Sequence, residues 1–178
     1  TPQYDDNGNM LNDDKHTYAY DFNNKLVSVD QTVGTYKYDA LGRRIAKNNT
    51  LFYYMGDQMI VEFKDNSISS YLYGNDIDEI IQKTDRANIY YYHTNQLHST
   101  MSISDLNGNQ IENILYDESG NPSFFDKENN NIGSSLINNN SLFTGREYDL
   151  ESGSYYYRAR TMHTAMGRFL QKDPLGYV

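Results

Sequence analysis

Thr35-Tyr36-Lys37-Tyr38-Asp39-Ala40-Leu41-Gly42-Arg43-Arg44-Ile45-Ala46-Lys47 is the stretch that decides the fold. Its first four residues alternate with period two, the pattern of a half-buried strand. An Asp side chain accepts hydrogen bonds from backbone two residues on, so Asp39 starts a turn. Gly42 then supplies the residue that tolerates positive φ at no steric cost. Arg44-Ile45-Ala46-Lys47 returns as a second strand. The unit is one β-hairpin, and a lone hairpin is only marginally stable in water.

The unit recurs. Tyr4-Asp5-Asp6-Asn7-Gly8-Asn9-Met10 opens the chain, and Tyr20-Asp21-Phe22-Asn23-Asn24-Lys25-Leu26 precedes the copy at Tyr38. Tyr116-Asp117-Glu118-Ser119-Gly120-Asn121-Pro122 lies further on. The shared pattern is Tyr-Asp-x-x-Gly/Asn. Between residues 50 and 85 the Tyr-Asp pair fades but strand patterns continue, at Leu51–Tyr54, Gln58–Phe63, Ser69–Tyr73 and Ile77–Ile81. Asn107-Gly108 between Thr100–Ser104 and Ile111–Leu115 is the strongest short-range hairpin signal. The expected fold class is therefore all-β, built of stacked antiparallel hairpins that bury one face jointly. Helix is nearly absent, with one short turn expected at Ser154–Arg160. The Asn-rich tract 126–141 reads as a surface loop.

Composition agrees with that reading. The 178 residues include 18 Tyr, 21 Asn and 12 Gly but only 3 Pro and no Trp. Tyr favours pleated, half-buried surfaces, while Asn and Gly favour tight turns. A formal net charge of −9 argues against a general nucleic-acid surface, which needs a basic face. The charge is uneven: residues 1–140 hold 10 basic and 20 acidic side chains, residues 141–178 five and four. Cysteine is absent, which excludes disulfides, thiolate metal sites and cysteine nucleophiles. No apolar run is long enough to span a bilayer and no signal peptide is visible. Thr1 in place of Met is what a piece of a longer protein would show.

These repeats resemble the YD repeats of the Rhs and toxin-complex proteins, and residues 90–178 resemble the Rhs-repeat-associated core. The ordered segments that carry the likeness are Tyr91-Tyr92-His93-Thr94-Asn95-Gln96-Leu97, Asp105-Leu106-Asn107-Gly108, Phe143-Thr144-Gly145-Arg146-Glu147, Tyr155-Tyr156-Tyr157-Arg158-Ala159-Arg160, Gly167-Arg168-Phe169-Leu170 and Asp173-Pro174-Leu175-Gly176. The chain departs from the family pattern at Asn95, Gln96 and His98, and at Met162-His163-Thr164 before the Gly-Arg-Phe segment. The resemblance implies two segments, 1–89 of YD-repeat hairpins and 90–178 of core. It implies a spiralling hollow shell with a C-terminal plug, encapsulating or presenting a polymorphic toxin. The implied partners are the rest of the shell, a C-terminal effector and delivery proteins, with no nucleic acid and no membrane span. The implied location is secreted or at the cell surface of a bacterium.

In autoproteolytic members the Arg of the Tyr-Arg-x-Arg segment and the Asp of Asp-Pro-x-Gly work at the cleavage site. Arg160 and Asp173 match them here. Aspartyl proteolysis needs two carboxyls close enough to share a proton, and an Arg can hold one of them ionised. The resemblance places the second Asp and the scissile bond downstream of Val178, so this chain alone is expected to carry an incomplete site. Three readings stay open: a structural shell, with Arg160 and Asp173 as a partly buried tie; an autoprotease; and a carbohydrate- or cell-surface-binding module using the many Tyr rings. No cofactor or metal is expected. His16, His93, His98 and His163 lack ligand spacing, and no phosphate loop or nucleophile elbow occurs.

Overall fold

A computed structural model describes residues 1–176. The strands, in chain order, are β1 (Gln3–Tyr4), β2 (Met10–Asn12), β3 (Tyr18–Tyr20), β4 (Leu26–Val29), β5 (Gly34–Tyr38), β6 (Arg44–Lys47), β7 (Thr50–Met55), β8 (Gln58–Lys64), β9 (Ser67–Tyr73), β10 (Ile80–Asp85), β11 (Asn88–Thr94), β12 (Thr100–Asp105), β13 (Gln110–Tyr116), β14 (Pro122–Asp126), β15 (Glu147–Asp149), β16 (Ser154–Tyr157), β17 (Arg160–His163) and β18 (Arg168–Phe169). The fold is all-β and antiparallel, as the hairpin pattern predicts. Two compact units emerge among the described residues, one of residues 1–51 with 149–176 and one of residues 52–148. They are spatial units, unlike the segments 1–89 and 90–178, which are defined by motif.

In the first unit β3, β4, β5 and β6 pair in chain order, and β16, β17 and β18 form a separate antiparallel set. Its core is Met10, Tyr18, Leu26, Val29, Tyr36 and Leu170, with Tyr20, Tyr38 and Met166 packed against it. In the second unit β8 to β14 pair each with the next. Ile80, Tyr92, Ile103, Ile114 and Phe124 lie buried on that ladder.

The repeat has a mechanical basis in both halves of its motif. At Asp39, Oδ1 accepts the N–H of Leu41 at 2.9 Å and of Arg43 at 3.0 Å. The Asp39 N–H returns to the Arg43 carbonyl, and the Gly42 N–H to the Asp39 carbonyl, each at 3.0 Å. Gly42 has φ +77°. Asp5, Asp21, Asp105 and Asp117 make the same four bonds. Tyr does the other half of the work. The hydroxyls of Tyr20, Tyr38 and Tyr116 donate to the carbonyls of Met10, Leu26 and Thr100, at 2.6–2.7 Å. Each reaches the start of the preceding strand, so the ring is buried while its polar end keeps a partner. Gly42→Val should cost about 1–3 kcal/mol, because a β-branched residue is strained at positive φ, and Gly42→Asn should cost less. Melting temperatures of the three proteins check this, and equal values would refute the turn assignment.

Three local expectations change. Ser154–Arg160 is not helical; Ser154–Tyr157 is a strand of consecutive Tyr rings, and the described helical turns are single 3-10 turns at Phe143–Gly145 and Thr164–Met166. Ile77–Glu79 is a turn, and the strand there begins at Ile80. The tract 126–141 is not simply a surface loop. It opens with another Asp turn at Asp126–Asn130, then runs inward, where Ile137 and Asn139 are buried.

Candidate functional site

Asp173 and Arg160 come together in an ion pair. Arg160 extends from the start of β17, and its Nη1 lies 2.8 Å from Asp173 Oδ2. Its guanidinium also stacks 3.8 Å from the ring centroid of Phe169 on β18, which fixes the side chain in place. Asp173 heads a turn of the repeat type. Its Oδ1 accepts the Leu175 N–H at 3.0 Å, and the Gly176 N–H bonds the Asp173 carbonyl at 3.0 Å, with Gly176 at φ +72°. Pro174 suits the first central position of such a turn. Both carboxylate oxygens are thus engaged. The side chains are 25% and 36% exposed, so the tie is more open to solvent than expected. Its contribution falls to the range of surface pairs, about 0–1 kcal/mol.

Beside this turn lies a cleft of about 290 Å³ whose walls include Asn9, Asn24, Gln171, Lys172 and Asp173. Asp173 is the single carboxylate among its described lining residues. A lone carboxylate cannot share a proton with a second, so aspartyl chemistry here needs a carboxyl from elsewhere.

The most strongly buried charges lie away from this cleft, and sequence reasoning passed over them. In the first unit Arg44 Nη1 meets Asp149 Oδ2 at 2.6 Å, Lys47 Nζ meets Asp149 Oδ1 at 2.9 Å, and Lys47 also reaches Glu151 at 3.2 Å. Arg44 and Asp149 are each 2% exposed. The guanidinium sits 4.4 Å from the Tyr156 centroid and 5.2 Å from that of Tyr36. Burial pushes the Asp149 carboxyl up, but Arg44 and Lys47 outweigh it and hold the group below its ordinary range. The signal was present: Tyr148-Asp149, with Gly153 following, is a further Tyr-Asp pair.

The second unit holds a polar core of its own. Lys83 on β10 donates from Nζ to the Ile137 carbonyl at 2.8 Å and the Asn138 carbonyl at 3.3 Å. Glu112 on β13 accepts the Ser135 hydroxyl and the Leu136 N–H, both at 2.7 Å. Tyr92 on β11 donates to Asn139 Oδ1 at 3.0 Å. Residues 135–139 are therefore held largely by backbone groups. Burial lowers the Lys83 pKa, opposed by Glu62, and raises that of Glu112, opposed by Ser135. The histidines are dispersed. His163 is buried 3.3 Å from Asp13, His16 pairs with Asp30, His93 meets Ser104, and His98 lies 3.8 Å from Asp76. No group of three metal-ligating side chains gathers among the described residues.

Recurrent hairpins capped by Asp and tied by Tyr hydroxyls define a YD-repeat protein. Residues 2–174 match the teneurin YD-shell family, and the chain belongs to it. It is 35% identical over 184 aligned residues to a tRNA3(Ser)-specific nuclease WapA of Bacillus spizizenii, covering 96% of this chain but 8% of that protein. It is 24% identical to a double-stranded DNA deaminase toxin A of Burkholderia cenocepacia, over 98% of this chain and 15% of the toxin. The Photorhabdus luminescens Tc holotoxin pore contains a chain that superposes on 98% of this one with TM-score 0.76 at 16% identity, using 10% of that chain. The chain thus spans less than a sixth of each relative. No helix among the described residues is long and apolar enough to cross a membrane.

Proposed function

We propose that this chain is a wall segment of a YD-repeat shell that encloses or presents an effector carried elsewhere on the same polypeptide. One observation carries the reading. Two relatives with different named activities, a tRNA nuclease and a DNA deaminase, align with nearly the whole of this chain while it occupies a small share of each. What they have in common is then the scaffold, and the activity belongs to the rest. Residues 1–89 serve as repeat wall and residues 90–178 as the core that finishes it. The source is bacterial and the assembled protein acts outside the producing cell. Limited proteolysis of the full-length protein tests the role: the effector should resist cleavage while the shell is folded and lose protection when the wall is disrupted. Equal sensitivity in both states would refute enclosure.

A second reading rests on the Arg160–Asp173 pair, which supports self-cleavage downstream once a second carboxyl is supplied. Asp173→Asn in the full-length protein should then abolish the processed band while the shell stays assembled, and in this chain alone should cost less than about 1 kcal/mol. A processed band of normal intensity would remove Asp173 from the chemistry. The sugar-binding reading draws nothing from Tyr20, Tyr38, Tyr73 and Tyr116, whose hydroxyls go to main-chain carbonyls.

A further inference from the structure

We propose that His163 and Asp13 form an acid-sensitive latch, in which a proton taken up by the His163 ring parts the turn between β2 and β3 from the C-terminal strands β16, β17 and β18.

His163 ends β17, where it pairs with Ser154 of β16 and Arg168 of β18. Asp13 lies in the turn between β2 and β3, in the same unit. The two side chains are 6% and 3% exposed, with His163 Nε2 3.3 Å from Asp13 Oδ2. Asp13 is already committed elsewhere. Its Oδ1 accepts the N–H of Lys15 at 2.9 Å and of His16 at 2.6 Å, and its Oδ2 accepts the Tyr18 hydroxyl at 2.9 Å. Both ring nitrogens of His163 are buried without a hydrogen bond among the described residues. A neutral imidazole carries one N–H and one lone pair, whereas the protonated ring carries two N–H donors and a charge. Only one donor can face Asp13. The other stays buried without a partner, which is the costly case.

The neighbouring charges do not rescue the protonated ring. Lys15 and His16, from the same turn as Asp13, both oppose a charge on His163, and Asp13 alone favours it. His16 is itself drawn to Asp30, 2.7 Å away. Arg168, opposite His163 on β18, lays its guanidinium 5.7 Å from the Tyr4 ring centroid. Burial is the largest influence and holds the His163 pKa below its ordinary 6.5. The stability such a group confers is whole above that ordinary value and is lost as pH falls through the folded pKa. The nearby carboxylates respond elsewhere. Asp13, Asp30 and Asp149 are held below 3.8, so they gain protons only in stronger acid.

Opening the latch loosens β17 and β18, which carry Arg160 and lead into the Asp173 turn. His163 falls in Met162-His163-Thr164, where the chain departs from the family pattern, so the latch is a property of this sequence. It stands whether or not Asp173 takes part in cleavage.

The test is amide hydrogen exchange by mass spectrometry on the full-length protein at about pH 7.5 and about pH 5.5, either side of the ordinary histidine range. Each rate is corrected for the intrinsic pH dependence of exchange. Corrected exchange in peptides from residues 10–18 and 160–169 should quicken at the lower pH by up to about tenfold, the ceiling for a group of ordinary histidine pKa that protonates only when the latch is open. β5 and β6 of the same unit should not change. His163→Gln cannot take the proton and should exchange equally at both pH values. If that variant fails to fold, the unmodified protein still decides, because the gain must fall on the two latch segments and spare β5 and β6. Equal corrected exchange at both pH values, a gain spread evenly over the unit, or a gain that persists in His163→Gln and vanishes in His16→Gln would each overturn the proposal.

Discussion

Asp149→Asn is expected to destabilise the first unit by about 3–5 kcal/mol, because it leaves the buried Arg44 guanidinium without its counter-charge. The asparagine keeps one acceptor for Arg44 but withdraws the charge that Lys47 also uses. Replacing both partners, Arg44→Met with Asp149→Leu, should recover much of the loss, since two apolar groups leave no charge stranded and Lys47 retains Glu151. Urea unfolding of the three proteins decides it; a loss under about 1 kcal/mol in the single variant would show that the guanidinium finds solvent or another partner. The pH dependence has a definite sign. The folded pKa of Asp149 lies below its ordinary value of 3.8, so its stabilisation is present above that value and is lost as pH falls through the folded pKa. The Asn variant should lack this acid-side loss.

Lys83→Met is the second large effect, and it falls in the other unit. The substitution fills much of the same volume but leaves the carbonyls of Ile137 and Asn138 without the ammonium, and Glu112 without its nearby cation. The expected cost is about 1–3 kcal/mol for each buried carbonyl left without its donor. It should appear first in residues 135–139, whose remaining ties are Glu112 and Tyr92. Amide hydrogen exchange reads this directly. Protection should fall at Leu136, Ile137 and Asn139 before it falls across β9 and β10, and unchanged exchange there would mean that Lys83 is not what holds the segment.

The hairpins were legible because each is written locally. Tyr, Asp and Gly or Asn at fixed offsets specify strand end, turn and positive φ within seven residues, and Gly42 behaves as read. Two copies that lack the Tyr were missed, while the one at Asp105 was caught by its Asn107-Gly108 pair; the turn itself is unchanged. Asn95 caps Leu97 and Ser99 as an Asp would, and Asp126 follows Phe125. The chemistry needs only a side-chain oxygen and a tolerant fourth residue; Tyr serves the neighbouring strand. Buried polar structure was not legible. An Asn-rich stretch reads as solvated, and nothing within 126–141 says that Lys83 and Glu112 will draw it inside, because those partners lie dozens of positions away. Arg160 and Asp173 do pair, yet neither the pairing nor its exposure could be read from spacing alone.

The Tyr-to-carbonyl tie also bears on how such a wall can vary in length. Each hairpin satisfies its own turn, and the hydroxyls of Tyr20, Tyr38 and Tyr116 each reach only the strand just before. The turns and these hydroxyl ties do not by themselves count how many hairpins come before or after; Arg44 and Lys47, held by Asp149, are the exception. Two extra strands would return the next turn to the same margin and leave the two faces of the sheet undisturbed. One extra strand would send every later turn to the opposite margin. The wall therefore lengthens or shortens in whole hairpins, as a zip does in whole teeth, and gene segments that gain or lose such a pair would still encode a continuous surface.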